Sequence, residues 1–162
     1  MIPERLAALR EKMRAYGVDA YLVPTADYHE SEYVGTYFKA RTYITGFTGS
    51  AGTAVITQDE ACLWTDGRYF VQAAKELAGT GVTLMKMGQE GVPTVEEYLQ
   101  ANTKEGMTIG FDGRVVNEML GETLEKTLPE RFLSYRSDLI GEIWSDRPAL
   151  SAEPVWILDS KY

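Results

Sequence analysis

The residues with the most chemical potential lie in the first half of the chain. His29, the single histidine, sits among Asp27, Glu30 and Glu32. Imidazole and carboxylates at Asp-x-His and His-x-x-Glu spacing are donor types that hold a divalent ion. Such centres need three or more converging ligands, and no second histidine is present. The expected role of His29 is therefore to stabilise its own loop, and no metal ligand is assigned here. Gly46-Phe47-Thr48-Gly49-Ser50-Ala51-Gly52 is the densest glycine cluster. A phosphate cradle would have such a loop end on a helix N-terminus, where amides and dipole face the anion. A strand-like run follows instead, which favours a tight loop where backbones approach closely. Ser50 lacks the glycine two residues before it and the following helix that a nucleophile elbow requires. No catalytic residue is assigned. Asp66-Gly67-Arg68 closes a strand-like run, and Arg68 could clamp a carboxylate in bidentate fashion. The same triplet recurs at Asp112-Gly113-Arg114. Such repetition is what turn chemistry produces, with aspartate capping the turn and glycine taking positive φ.

Those residues need a frame. Ile2, Leu6, Leu9 and Met13 form one apolar stripe, so residues 2–16 read as a helix with Pro3 in its first turn and Gly17 after its last. Val18–Pro24 reads as a buried strand. Thr25–Gly49 reads as irregular and carries Tyr28, Tyr33, Tyr37, Phe38 and Tyr43, rings that suit either a cleft wall or a loop pinned by its own aromatics. Gly52–Thr57 and Ala61–Asp66 are β-rich and separated by Gln58, Asp59 and Glu60, which predicts a hairpin. Beyond it, helices are predicted over 68–78, from the capping box at Thr94 to Ala101, over 118–126 with Asn117 as N-cap, and over 139–144. Strands are predicted over 82–88, 107–111 and 131–135. A hairpin followed by alternating β and α units predicts an α/β fold, a three-layer domain with a mixed β-sheet flanked by helices on both faces. Residues 1–146 are expected to form this domain. The stretch 147–162, with Pro148 and Pro154 among small and polar residues, reads as an interdomain linker cut short.

Composition narrows the function. The chain has 162 residues, one domain's worth, with 16 Lys+Arg against 24 Asp+Glu and a net charge of −8. An acidic chain of this kind argues against a nucleic-acid surface, which needs a positive footprint. The one cysteine, Cys62, excludes an intrachain disulfide framework and a Cys-rich zinc site. The longest uncharged run, Thr42 to Gln58, is 17 residues and full of Gly and Thr, short of the roughly 20 that a membrane-spanning helix needs. Charges at Glu4, Arg5, Arg10, Glu11, Lys12 and Arg14 break any signal-peptide core. No membrane partner is expected, and the expected compartment is cytoplasmic.

Five stretches, in order, resemble the N-terminal domain of the X-prolyl aminopeptidases of the aminopeptidase P type, in the creatinase/prolidase superfamily. They are Ser31-Glu32-Tyr33, the 46–52 glycine loop, Trp64-Thr65-Asp66-Gly67-Arg68-Tyr69-Phe70 with Gln72-Ala73-Ala74, Leu84-Met85-Lys86-Met87-Gly88, and Trp144-Ser145-Asp146-Arg147-Pro148. The resemblance implies a ribonuclease-H-like α/β module that is itself non-catalytic. It implies a parent hydrolase that removes the residue before proline with two divalent ions, usually manganese, in a C-terminal pita-bread domain outside this chain. His29 matches none of that family's metal or catalytic histidines, and no cofactor is expected in this chain. The implied partners are the catalytic domain, an X-Pro peptide at the domain interface and a second subunit in a homodimer. The implied role is to shape substrate access and subunit contacts. Arg68, with Asp66, Tyr69 and His29, is the candidate lining of the substrate channel. The alternatives are a stand-alone interaction module and a small-molecule or phosphate-binding domain built on the 46–52 loop.

Overall fold

The computed structural model describes residues 1–161. Helix α1 spans Ile2–Tyr16, burying Leu6, Leu9 and Met13, and Gly17 ends it in the left-handed region at φ 65°. Strand β1 is Ala20–Pro24, followed by a long loop that ends in a single 3-10 turn at Thr36–Phe38. Helix α2, Ala40–Thr45, lies inside the stretch expected to be irregular. Its six residues carry two β-branched threonines and a buried arginine where an apolar stripe would run, so periodicity is silent there. Strands β2 (Thr53–Thr57) and β3 (Ala61–Thr65) form the expected hairpin, closed by the Thr57 amide on the Glu60 carbonyl at 2.9 Å.

The rest alternates as predicted: α3 (Phe70–Glu76), β4 (Thr83–Lys86), α4 (Val95–Asn102), β5 (Thr108–Phe111), α5 (Glu118–Thr127), β6 (Phe132–Ser134) and α6 (Leu139–Ile143). Thr94 and Glu97 complete the capping box of α4, and Asn117 caps α5 by accepting from the Leu120 amide at 2.7 Å. The six strands form one mixed sheet in the order β4-β3-β2-β1-β5-β6. β2 is antiparallel to both its neighbours, and every other pairing is parallel.

Alternation along the central strands divides the core in two. Tyr21, Val23, Ile56 and Leu63 face one way and pack with α1, α2, α3 and α6. Leu22, Val55, Trp64, Ile109 and Phe111 face the other way and pack with α4 and α5. The result is the three-layer α/β arrangement. Its topology has a consequence for function. β1, β3, β4, β5 and β6 all run in one direction, so the segments after Pro24, Thr65 and Phe111 gather at one edge of the sheet, together with the loop entering β2. Ligands of open α/β sheets bind at that carboxyl edge. Past α6, Arg147 folds back onto the domain, and residues 148–161 are exposed and form no helix or strand. No helix among the described residues is long and apolar enough to cross a membrane.

Candidate functional site

Asp66 ends β3, and its carboxylate accepts from the Arg68 amide at 3.0 Å, which starts a 3-10 turn over Gly67–Tyr69. The same carboxylate takes both edges of the Arg68 guanidinium, Nε on Oδ1 and Nη2 on Oδ2, each at 2.9 Å. Hydrogen bonding from Arg68 holds the Asp66 acid down at about 2 and raises the arginine. The Arg68 side chain is nonetheless 63% exposed, lies 5.2 Å over the Tyr69 ring, and among the described residues has no acceptor for Nη1. Tyr69 is fixed from behind. Its hydroxyl shares a 2.7 Å hydrogen bond with Ser50, and its ring meets Phe47 edge-on at 5.7 Å. Asp66, Arg68 and Tyr69 therefore form one unit, backed by the glycine loop.

That loop has its own reasons for glycine. A Cβ on Gly49 would fall 2.3 Å from the Phe47 ring and 2.7 Å from Tyr69, and one on Gly52 would fall 2.9 Å from the Trp64 carbonyl. Gly46 caps α2 at φ 82°. The loop leaves a helix C-terminus and enters a strand, so its amides do not open a helix toward an anion.

His29 is not part of the Arg68 unit. Its amide and that of Ser31 donate to the Asp27 carboxylate at 2.8 and 3.0 Å, which curls the loop and depresses the Asp27 acid through those bonds, the one from Ser31 foremost. His29 lines a concavity with Arg114 and Asn117, while Glu30 is tied to the Asn117 amide. A second concavity, bounded by Glu30, Glu32, Ser50 and Asn117, connects that region to the glycine loop. Of the four candidate residues, His29 lines one of these hollows, and the Arg68 unit meets the second through Ser50, which bonds Tyr69.

Neither Gly67 nor Gly113 has positive φ, contrary to the expectation for both triplets. Asp66 and Asp112 do cap their turns, and each carboxylate takes its own arginine's amide and guanidinium. The 3-10 and turn geometry that follows needs no left-handed residue. Of the aromatics in the 25–49 stretch, Tyr28 and Tyr37 each meet Phe38 edge-on and Tyr43 stacks on Trp144 at 4.5 Å, so most of these rings pin the loop. Tyr33 is the exception, 78% exposed beside Glu32.

Sequence reasoning missed Arg41. It is 3% exposed at the base of the glycine loop, donating to Thr25 Oγ1 at 3.0 Å, to the Phe47 carbonyl at 2.6 Å and to the Gly49 carbonyl. Its one signal in the sequence is a cation one residue after Ala40 and three before Ile44, both apolar, just ahead of the glycines.

No group of three or more His, Cys, Asp or Glu side chains comes together as a metal site among the described residues. The donor set does not fit a two-metal centre. The Asp27 carboxylate is occupied by backbone amides and Glu30 by Asn117, which leaves His29 without converging partners.

Comparison with known proteins identifies the family. Residues 5–143 match the family model described as Creatinase/Prolidase N-terminal domain. A probable Xaa-Pro aminopeptidase P of Talaromyces marneffei is 45% identical over 98% of this chain, and Aminopeptidase P2 of Arabidopsis thaliana is 40% identical over all of it. The chain spans about a quarter of the length of these curated relatives. Among solved structures, an X-prolyl aminopeptidase of Caenorhabditis elegans, described as a cytosolic enzyme with a di-nuclear active site, superposes with a TM-score of 0.89 at 37% identity. It covers 98% of this chain and 28% of its own. The N-terminal domain of the cytoplasmic peptidase PepQ of Mycobacterium tuberculosis superposes with a TM-score of 0.62 at 25% identity, over 87% of this chain and 98% of its own. By sequence and by fold, the chain belongs to the creatinase/prolidase N-terminal domain family and matches that domain of the Xaa-Pro aminopeptidases.

Proposed function

We propose that this chain is the non-catalytic N-terminal domain of a proline-specific metalloaminopeptidase, and that its carboxyl edge flanks the path of the peptide. Residues 1–146 are the domain and 147–162 the linker to the catalytic part, with Tyr162 outside the described residues. Two divalent ions, manganese by resemblance, supply the hydrolytic chemistry from the C-terminal domain, and no step of it passes through this chain. The observation that carries the reading is Arg68. It is a preorganised, exposed cation with one nitrogen uncommitted among the described residues, locked in orientation by Asp66 and standing over Tyr69 at a sheet edge suited to ligands. His29 stands further along the same edge. In this reading Arg68 and Tyr69 orient the peptide and Asp66 fixes Arg68. The compartment is cytoplasmic, and subunit contacts in a homodimer complete the enclosure.

Two measurements test it. The 162-residue chain incubated with manganese and an X-Pro peptide is expected to release no residue above background, and turnover that a chelator abolishes would refute the non-catalytic assignment. In the full-length enzyme, Arg68→Ala is expected to lower kcat/KM for X-Pro peptides at unchanged metal content. Unaltered kinetics would remove Arg68 from the peptide path.

A further inference from the structure

A peptide path along Arg68 does not account for Arg41. Among the described residues no carboxylate forms an ion pair with it. A guanidinium carries five N–H donors, and among the described residues the three bonds to Thr25, Phe47 and Gly49 leave two unspent. All three acceptors are neutral. Burial brings this arginine down to about 10, the behaviour of a cation taken out of water without a counter-charge. The acid whose field reaches it most is Glu76. That carboxylate is already engaged by the Thr48 amide at 2.8 Å, the Thr48 hydroxyl at 2.6 Å and Gln72 at 3.1 Å.

Arg41 also lines a cavity of about 220 Å³, whose other walls include Lys39, Glu32, Thr42 and Ser50. In a chain of net charge −8, this lining holds two cations and one acid. The acid, Glu32, lies in the field of Arg68. The balance suits a monoanion and disfavours a phosphate dianion, which Glu32 would repel. The volume is below the roughly 300 Å³ at which pockets begin to hold drug-sized ligands, so it suits a small acid or one terminal residue.

We propose that this cavity binds a carboxylate, with Arg41 as its buried anchor and Lys39 as its exposed second cation. The carboxylate comes either from a free small acid or from the C-terminus of a short peptide; only the second source rests on the peptide-path reading. A bound carboxylate would take up the spare Arg41 donors and offset the cost of burying its charge.

The test uses the 162-residue chain labelled for amide NMR, titrated at constant ionic strength with acetate, with chloride, and with one short peptide as free acid and as C-terminal amide. Acetate is expected to give saturable shifts centred on Thr42, Gly49 and Ser50, and chloride much smaller ones. Binding of the free-acid peptide but not the amide identifies the peptide terminus as the source. Binding of acetate with neither peptide form supports a free small acid, and leaves the peptide-path reading to its own kinetic test. Lys39→Gln, at an exposed position, is expected to weaken acetate severalfold, and Arg41→Lys, with its fold checked by the remaining amide pattern, to abolish the site. No saturable response to any carboxylate, equal response to chloride, or unchanged affinity in Lys39→Gln would overturn the proposal.

Discussion

The triplet Asp-Gly-Arg stands twice at the same edge of the same sheet, after β3 and after β5, and its two copies have different surroundings. At 112–114 the arginine is shared. Arg114 pairs with Asp112 at 2.9 Å and with Asp138 at 3.0 Å, and lies over Tyr28 at 5.8 Å. Asp138 is held in turn by Arg147, which stacks on Tyr37 at 3.9 Å and donates to its carbonyl. The backbone closes there as well, because the Gly113 amide reaches the Tyr135 carbonyl at 3.0 Å. At 66–68 the arginine bonds, among the described residues, only its own aspartate, and no backbone crowds Gly67. Identical local chemistry therefore builds a tertiary clamp in one place and a free-standing presented cation in the other. Distance to partners decides the role, and the triplet itself does not.

The glycines give the sharpest way to break this contrast. A Cβ on Gly113 would lie 2.7 Å from the Tyr135 carbonyl oxygen and 2.9 Å from its Cβ, both backbone-fixed, whereas on Gly67 it would meet nothing nearer than 3.9 Å. Gly113→Ala is expected to cost about 1–3 kcal/mol as an overpacking change. That is a fall of several degrees in melting temperature, at roughly 2–4 °C per kcal/mol for a chain of this size. Gly67→Ala is expected to be neutral or slightly stabilising, since the position has no positive φ and alanine restricts the unfolded chain. Equal losses in thermal unfolding would mean that both triplets are structural.

The arginines make the second comparison. Arg114→Ala removes ties to two carboxylates, and allowing for its half exposure the expected loss is about 1 kcal/mol. Arg68→Ala removes a pair confined to one turn, and the melting temperature is expected not to move. A destabilised Arg68→Ala would assign that arginine to the fold and withdraw the observation on which the proposed function rests.

What the sequence makes legible, and what it hides, follows the same physics. The strands and the capped helices announce themselves because they obey local rules. Thr94 with Glu97, Asn117 before its helix and Gly17 after α1 act within one turn of chain. The glycine loop is legible as a site of close approach, but the partners that crowd it, Phe47, Tyr69 and the Trp64 carbonyl, come from fold geometry. Helix α2 is not legible. It is short, and its inward face carries Arg41, whose hydrogen-bond partners Thr25 and Gly49 lie 16 and 8 residues away. The difference between the two triplets is equally hidden. Asp138, which completes the clamp on Arg114, is 24 residues distant, and nothing in three letters reports it.

The smallest expected effect is a titration, and it tests whether the presented arginine is truly free. Asp66 is held at about 2 by the hydrogen bonds from Arg68, against an ordinary value of 3.8. An acid depressed in the folded state adds stability above its unfolded value and loses it as the pH falls through its folded one. The contribution should therefore fade between about pH 4 and pH 2, and remain slight because the pair is exposed to solvent. Carboxyl NMR of the chain should place the Asp66 midpoint near 2, and in Arg68→Ala it should return toward 3.8. The full-length enzyme gives the decisive arm. A peptide carboxylate or carbonyl that draws Arg68 away from Asp66 must raise the Asp66 midpoint when it binds. A peptide that engages only Nη1 leaves the bidentate pair closed and the midpoint where it was, so the direction of that one shift reports which face of the guanidinium meets the peptide.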